Sequence, residues 1–220
     1  MTKRDANSRA ASELLQVARR HGFVGRLADY DGYVNLAGDY DYLSQAYYVS
    51  QDRLLSGELI VPSCQDMLDA YVSPLFLEKA RLAGLPVPEY YISNGYIEPP
   101  VIVDPVNPFT LKGKVVLKAS RAKSIAKSLT RNFTYAICCQ ELPEGSQVAY
   151  FKAVLGWCVG DEYREMARVI WDVFKIPLAR IRVIKLADGG ILLSDIAPLP
   201  FTELGKREME YIKERVVWGS

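Results

Sequence analysis

Histidine and cysteine, on which many catalytic and metal sites depend, are scarce in this chain of 220 residues. The single histidine, His21, follows a basic run and precedes Gly22, a pattern typical of the carboxy-terminal end of a helix. The four cysteines lack paired CxxC spacing, which favours buried thiols over a metal cluster or a disulfide scaffold. Walker loops, GxGxxG fingerprints and serine elbows are missing too, so several common routes to catalysis are excluded.

The sequence also lacks an excess of charge of one sign and long apolar runs. Its 27 Lys and Arg balance 26 Asp and Glu to a net charge of +1, so electrostatic recognition of a ligand requires a local patch. No run approaches the ~20 apolar residues of a membrane span, and the amino terminus has no apolar core of signal-peptide length. We therefore expect no membrane association and a cytoplasmic location.

Hydrophobic periodicity along the chain predicts a mixed α+β fold. Half of the residues are apolar, enough for a substantial core. Helical spacing occurs in four segments, residues 8–22, 63–83, 161–176 and 203–217. Strand patterns occur at residues 89–93, 113–120, 133–142 and 147–159, and in a hairpin over 178–200 with the turn ADGG. This order of strands and helices predicts a layered α+β structure with an antiparallel sheet.

The segment IEPPVIVDPVNPFTLKG, residues 97–113, is rich in proline. Proline cannot donate to a sheet ladder, so it is confined to edges and turns. We interpret this segment as a linker or an edge segment rather than a core element. The following RAKSIAKSLTRN is predicted to be a basic helix or loop.

The order of several motifs resembles the carboxy-terminal half of an ATP-grasp protein, most of all the RimK-like and D-alanine ligase type of carboxylate–amine ligases. The motifs are VVLK, an apolar strand ending in QELPEG, VLGW before a helix, and the hairpin ARIRVIKLADGGILLSDIAPLP. Upstream, LEKARLAGLPVP resembles the family's helix and proline-rich exit. DYDYLSQAYYVS resembles the tyrosine-rich segment of an amino-terminal domain attached to some RimK-like proteins.

The resemblance implies an ATP-grasp-like α+β fold with antiparallel sheets, packed helices and a small amino-terminal α/β region. It divides the chain into three continuous regions. These are an amino-terminal region of RimK-like type (1–75), a helix and proline-rich linker (76–100), and an ATP-grasp-like nucleotide-binding region (101–220).

The resemblance also implies a nucleotide site. Lys118 in VVLK takes the place of the strand lysine that neutralises the phosphates of the nucleotide. Gln140, Glu141 and Leu142 take the place of the hinge, which offers backbone hydrogen bonds to adenine and an acidic side chain near the ribose. The alternatives are a solvated lysine at the end of a strand and a solvated turn before Pro143.

The metal site implied by the resemblance is incomplete in this sequence. Active members carry an acidic ligand on the first strand of the hairpin and Glu-x-Asn on the second, which hold Mg²⁺ through oxygen atoms. Here those positions are Arg182, Asp195 and Ala197, so only Asp195 remains as a metal ligand. We interpret Arg182 as a replacement for part of the charge of the metal.

The basic segment 118–131 allows three readings. Lys118, Arg121 and Lys123, interspersed with serines, suit a phosphate ligand. A solvated helix face is the simpler alternative. Nucleic-acid binding requires more aromatic stacking partners than Phe133 and Tyr135, so it is the least favoured.

Two functional hypotheses follow from these residues. In the first, the chain is a catalytically reduced ATP-grasp-like protein, a pseudoenzyme that binds ATP, another nucleotide or a phosphate ligand, alone or beside a protein partner or a second copy. In the second, it is an active ATP-dependent carboxylate–amine ligase that forms an acyl-phosphate. Lys118 and Arg182 would then stabilise the transferred phosphoryl group, and Asp195 would hold the Mg²⁺.

Overall fold

The structure is a computed structural model that describes residues 3–28, 30–106 and 113–219, with the backbone alone for residues 3–11. Helices and strands alternate irregularly through these ranges. The helices are α1 (Lys3–Arg20), α2 (Gln45–Leu55), α3 (Cys64–Tyr71), α4 (Ser73–Leu82), α5 (Ala119–Leu129), α6 (Arg164–Phe174) and α7 (Lys206–Arg215). The strands are β1 (Val24–Leu27), β2 (Tyr33–Asn35), β3 (Ile60–Val61), β4 (Tyr90–Ser93), β5 (Val101–Pro105), β6 (Lys114–Val116), β7 (Ile137–Glu141), β8 (Gln147–Val154), β9 (Leu178–Lys185), β10 (Ile191–Pro198) and β11 (Val216–Val217).

The described strands form three sheets. Two have four strands, in the orders β11-β1-β2-β3 and β4-β7-β5-β6, and the third has three strands in the order β10-β9-β8. Pairing is antiparallel between β5 and its neighbours β6 and β7, whereas β2 and β3 are parallel. The mixed α+β class with antiparallel sheets is therefore confirmed.

The chain folds into two compact units that interleave along the sequence. The described residues of unit 1 come from Met1–Met67, Phe151–Arg180 and Pro198–Ser220, and those of unit 2 from Leu68–Tyr150 and Ile181–Ala197. Both units therefore combine segments that are far apart in the sequence, whereas the regions drawn from the sequence are continuous. Within the described residues, no helix has both the length and the apolar character needed to cross a membrane.

Each unit has its own apolar core. In unit 1, the buried side chains include Leu14, Val34, Leu178, Phe201 and Ile212. The core of unit 2 is built from one face of its four-stranded sheet and the apolar face of α5. Its buried residues are Ile97, Val101, Val103, Val116, Ala126, Leu129, Ile137 and Cys139. Burial of these side chains supplies the main driving force for forming each core.

The proline-rich segment contradicts its interpretation as a linker or an edge. Its described part contains β5, a strand with both neighbours paired and all five residues buried. Pro105 is tolerated because it ends the strand, where its missing N–H costs little. Residues 107–112 of the same segment lie outside the described residues. β5 carries Asp104, which was not among the site residues predicted from the sequence.

The basic segment forms α5, which resolves the choice between helix and loop in favour of the helix. The strand before it is shorter than expected: β6 ends at Val116, and only that residue of the strand is buried. Lys118 is therefore not a strand residue: it is the amino-terminal cap of α5, with an extended backbone at φ −134° and ψ 133°.

Candidate functional site

Four strands of unit 2 place polar side chains in one buried cluster. Asp104 is near the end of β5 and Gln140 lies on the adjacent β7, where Ile102 of β5 pairs with Gln140. Arg182 lies on β9 and Ser194 on β10. The four residues are buried, so each polar group has to find its partner inside the protein.

These four side chains form a closed ring of hydrogen bonds, which we call the Arg182 ring. Arg182 binds Asp104 at two points, with Nη1–Oδ1 at 3.0 Å and Nη2–Oδ2 at 2.6 Å. Its Nε donates to Ser194 Oγ at 2.9 Å, and that hydroxyl donates to Gln140 Oε1 at 2.8 Å. Gln140 Nε2 closes the ring by donating to Asp104 Oδ2 at 2.7 Å. A two-point guanidinium–carboxylate pair is the strongest arrangement these groups can adopt.

Asp195 lies beside the ring but is held less closely. Its Oδ2 is 3.7 Å from Arg182 Nη1, and its side chain is 18% exposed. Burial raises the pKa of the Asp195 carboxyl to about 7; the charge of Arg182 opposes this rise and that of Asp104 adds to it. For Arg182, burial alone would lower the pKa, but the charges of Asp195 and Asp104 raise it above its ordinary value. The guanidinium therefore stays charged, and Asp195 is the member of the cluster that can take up a proton near neutral pH.

The cluster does not fit a magnesium ion. Mg²⁺ requires several oxygen ligands in a nearly octahedral arrangement, but the centre of this cluster is a guanidinium. The described ranges 3–28, 30–106 and 113–219 contain no group of three His, Cys, Asp or Glu residues that could hold a metal ion. Asp195, the metal ligand that the resemblance implied, thus has an arginine as its nearest ionic partner in place of a cation site.

Arg182 is also poorly placed for its expected contact with a phosphate group. Its side chain is 7% exposed, and Nε, Nη1 and Nη2 all donate to ring members. A phosphate would have to displace Asp104 to reach the guanidinium. The contact stays a prediction, and the ring argues against it.

The residues of the expected adenine hinge, Gln140, Glu141 and Leu142, do not offer free hydrogen-bonding groups in the expected way. Gln140 is completely buried within the Arg182 ring, whereas Glu141 is exposed. The backbone N–H of Glu141 donates to Glu89 O at 2.9 Å, and that of Leu142 donates to Pro100 O at 3.1 Å. Both N–H groups therefore already have partners within the protein, and a base would have to compete with them.

A second feature of unit 2 does suit an anion. We call it the cationic pocket: it has a volume of about 780 Å³ and lies between β6 and the first two turns of α5. The described residues that line it are Lys114, Val115, Val116, Leu117, Lys118, Arg121, Ser124 and Ile125. Three of them are basic and none is acidic, and Val115 and Leu117 are exposed apolar residues. The pocket thus combines positive charge with an apolar wall.

The amino terminus of α5 adds to the positive potential of this pocket. Lys118 caps the helix without a side-chain hydrogen bond, although its carbonyl oxygen accepts the backbone N–H of Arg121 at 3.2 Å. Such a terminus carries a partial positive charge that favours anions. Ser124 contributes less than expected, because its Oγ donates to the carbonyl of Arg121 at 3.0 Å.

The structure therefore does not bring the predicted site residues together in one place. Lys118 and Arg121 line the cationic pocket together, but Lys123 is exposed outside its described lining. Arg182, Gln140 and Asp195 belong to the buried cluster. The most important member of that cluster, Asp104, was missed. The one available signal was an acidic residue directly after three apolar β-branched residues, VIVD, which is unusual in a linker.

Comparison with known proteins shows similarity only at the level of structure. The sequence matches no protein-family model and no curated protein. The structure is similar to a RimK domain ATP-grasp protein from Sphaerobacter thermophilus, with a TM-score of 0.55 and 16% identity over 72% of this chain and 70% of that one. It is also similar to a D-alanine–D-alanine ligase from Helicobacter pylori, with a TM-score of 0.56 and 14% identity over 76% of this chain and 64% of the ligase.

A D-alanine–D-alanine ligase from Coxiella burnetii gives the same picture, with a TM-score of 0.51 and 12% identity over 72% of this chain and 56% of the ligase. The chain thus spans less than two thirds of the length of either ligase. At this level of identity the likeness shows the fold alone, an ATP-grasp fold, as the resemblance of the motifs predicted.

Proposed function

We propose that this chain, which has the ATP-grasp fold, is a catalytically reduced protein that binds a phosphate-bearing ligand without Mg²⁺. The observation that carries the proposal is the two-point pairing of Arg182 with Asp104 in the Arg182 ring. A ligase that forms an acyl-phosphate needs a divalent ion to bridge and neutralise phosphate oxygens. Here a fixed guanidinium already neutralises the buried carboxylate that could have held such an ion.

The charges of the buried cluster support this conclusion. Arg182 and Asp104 cancel each other, and a cation that entered beside Asp195 would be repelled by the guanidinium at 3.7 Å. Breaking a buried ion pair to admit a metal leaves one charge uncompensated, which costs about 3–5 kcal/mol. The ring is thus a stable alternative to a metal site.

The cationic pocket supplies a place for the ligand. Lys118 and Arg121 can bind phosphate oxygens through charge-assisted hydrogen bonds, and the start of α5, which has no side-chain cap, can add its partial positive charge. Val115, Leu117 and Ile125 can contact an apolar or planar part of the same molecule. A nucleotide has both parts, so ATP and inorganic phosphate are the probes that separate recognition of the phosphate from recognition of the rest.

Isothermal titration calorimetry with ATP and with inorganic phosphate, each in EDTA and in excess Mg²⁺, tests the proposal. We expect binding in EDTA that Mg²⁺ does not strengthen, and no release of phosphate from ATP. The double change Lys118→Gln and Arg121→Gln should weaken binding at least tenfold, because each charged hydrogen bond contributes about 1.5–3 kcal/mol.

Lys123→Gln with Lys127→Gln is the matched control. It removes the same charge from the same helix at exposed positions outside the described lining of the pocket, so binding should change less than threefold. Binding that requires Mg²⁺, together with phosphate release when a carboxylate and an amine are supplied, would instead support the ligase. Equal losses in the two double variants would show a diffuse electrostatic effect in place of a site.

A further inference from the structure

Unit 1 contains a separate polar pocket of about 190 Å³. Four side chains that can donate hydrogen bonds reach it from four different places in the fold. His21 follows α1, Arg26 lies on β1, Tyr33 on β2 and Arg53 on α2. The remaining described lining residues are Val24, Gly25, Val217 and Gly219. None of the described lining residues carries a carboxylate.

Two guanidinium groups stack on one tyrosine in this pocket, which we call the Arg–Tyr–Arg pocket. The Cζ atoms of Arg26 and Arg53 lie 4.5 and 4.1 Å from the centre of the Tyr33 ring. Arg26 and Tyr33 are direct partners across the β1–β2 pair, and Arg26 Nη2 donates to the Tyr33 hydroxyl at 2.9 Å. Because that hydroxyl accepts from Arg26, its own proton is available for another acceptor.

The acidic neighbours hold the arginines in place without filling the pocket. Glu58 accepts a hydrogen bond from Arg53 Nη1 at 2.9 Å, which leaves the other edges of that guanidinium for a ligand. The hydrogen bond to Tyr33 is the main cause of the raised pKa of Arg26, and Asp31 and Glu58 add smaller electrostatic contributions. Neither carboxylate is among the described lining residues, so the face towards the pocket is cationic.

The fourth donor, His21, is exposed and lies close to the backbone of the carboxy-terminal segment at Gly219. A Cβ atom at Gly219, where φ is +94°, would lie 2.9 Å from the His21 Cε1, so only glycine permits this approach of the carboxy-terminal segment to the imidazole. Both guanidiniums line the same pocket, so an anion bound there is attracted by both charges. The pocket offers two planar guanidinium groups, a hydroxyl and an imidazole as donors. This number of donors suits the several oxygen atoms of a phosphate group better than the two oxygen atoms of a carboxylate.

We propose that the Arg–Tyr–Arg pocket binds the phosphate group of a small molecule, with Arg26 and Arg53 as its principal ligands and Tyr33 and His21 as further donors. The volume admits inorganic phosphate or a phosphomonoester with a small organic part. This site is independent of the cationic pocket in unit 2, and it does not rest on the function proposed above.

The single histidine of the chain provides a specific reporter for this pocket. The test uses the full chain with Lys118→Gln and Arg121→Gln, so that the cationic pocket does not contribute. Proton NMR follows the two imidazole ring signals while inorganic phosphate is added at fixed pH, with potassium chloride at matched ionic strength as the reference. We expect saturable shifts with phosphate and none with chloride. Unmoved signals, or equal shifts with chloride, would overturn the proposal.

Substitutions identify the ligands of the phosphate. Arg26→Gln with Arg53→Gln should weaken the phosphate affinity at least tenfold, and Arg53→Lys, which keeps the charge but loses the planar fork, should weaken it severalfold. Arg207→Gln removes an exposed arginine of α7 and should leave the titration unchanged. Circular dichroism verifies that each variant is folded. An unaltered affinity in the folded arginine double variant or in Arg53→Lys, or a loss in Arg207→Gln, would refute the assignment.

Discussion

Arg182 and Asp104 are joined at two points, at 3.0 and 2.6 Å, although 78 positions separate them in the sequence. Each lies on a different strand, and both side chains are almost completely buried, 7% and 4% exposed. This pair, with Gln140 and Ser194, links the four-stranded sheet of unit 2 to the β9–β10 hairpin. It accounts for the arginine at a position where the family resemblance leads one to expect an acidic metal ligand.

Removing either partner of this pair should strongly destabilise the protein. Arg182→Met or Asp104→Leu alone leaves one buried charge uncompensated, and we expect each to lower the free energy of unfolding by about 3–5 kcal/mol. The two changes together should cost clearly less than the sum of the single changes, because neither charge then remains. Urea unfolding of the four proteins measures this coupling. Single losses below about 1 kcal/mol would show that the ring is not formed.

Asp195 should make the stability depend on pH between about 4 and 7. Its folded pKa is raised to about 7 by burial, so the folded state binds the proton more tightly than the unfolded state does. This contribution is fully present below the unfolded pKa and is lost as pH rises through 7. At pH 8, Asp195→Asn should therefore have a free energy of unfolding about 1–3 kcal/mol higher than the unmodified protein, and it should unfold at a higher temperature.

At pH 4 the two proteins should differ little, because the carboxyl is then protonated in the folded state. Thermal unfolding followed by circular dichroism across this range measures the difference. If the variant is less stable at pH 8, the attraction of Asp195 to Arg182 outweighs the burial of its charge.

A metal site should appear when the guanidinium is replaced by a carboxylate. Arg182→Asp with Ala197→Asn brings a new carboxylate between Asp104 and Asp195 and adds an amide two positions along β10. In EDTA the three carboxylates should repel each other and lower the unfolding temperature. Mg²⁺ or Ca²⁺ should then raise it by several degrees, because an ion that binds only the folded state stabilises it. Arg182→Met, which adds no oxygen ligand, should not respond to either ion.

The apolar face of α6 should be essential to stability. Ile170 and Phe174 are buried, whereas Val169 and Val173 are half-buried, so the buried face of α6 is centred on Ile170 and Phe174. Phe174→Ala should lower the free energy of unfolding by about 3–5 kcal/mol, because it removes a completely buried ring and leaves a cavity. Asp172→Ala on the exposed face is the control. An unchanged urea midpoint for Phe174→Ala would place the core elsewhere.

The sequence alone determined the elements whose signals are local. The final hairpin was predictable from two apolar runs around ADGG. Helical spacing over residues 63–83 indicated helix there, but not its division into α3 and α4. The order of such elements predicted the α+β class, and the resemblance of the motifs to a known family predicted the ATP-grasp fold. Local patterns succeed here because turns, caps and periodicity act over a few residues.

Only the tertiary structure decided which residues meet. Prolines on both sides concealed that β5 is a buried inner strand, because its pairing with β6 and β7 depends on segments further along the chain. For the same reason, the sequence could not show that Asp104 lies beside Arg182 and pairs with it. His21, Arg26, Tyr33 and Arg53 converge only when four elements pack together. The sequence gives the charge of each side chain, but long-range packing decides which partner it has. A buried charge must be paired, and the available partners are the groups that the fold brings close to it.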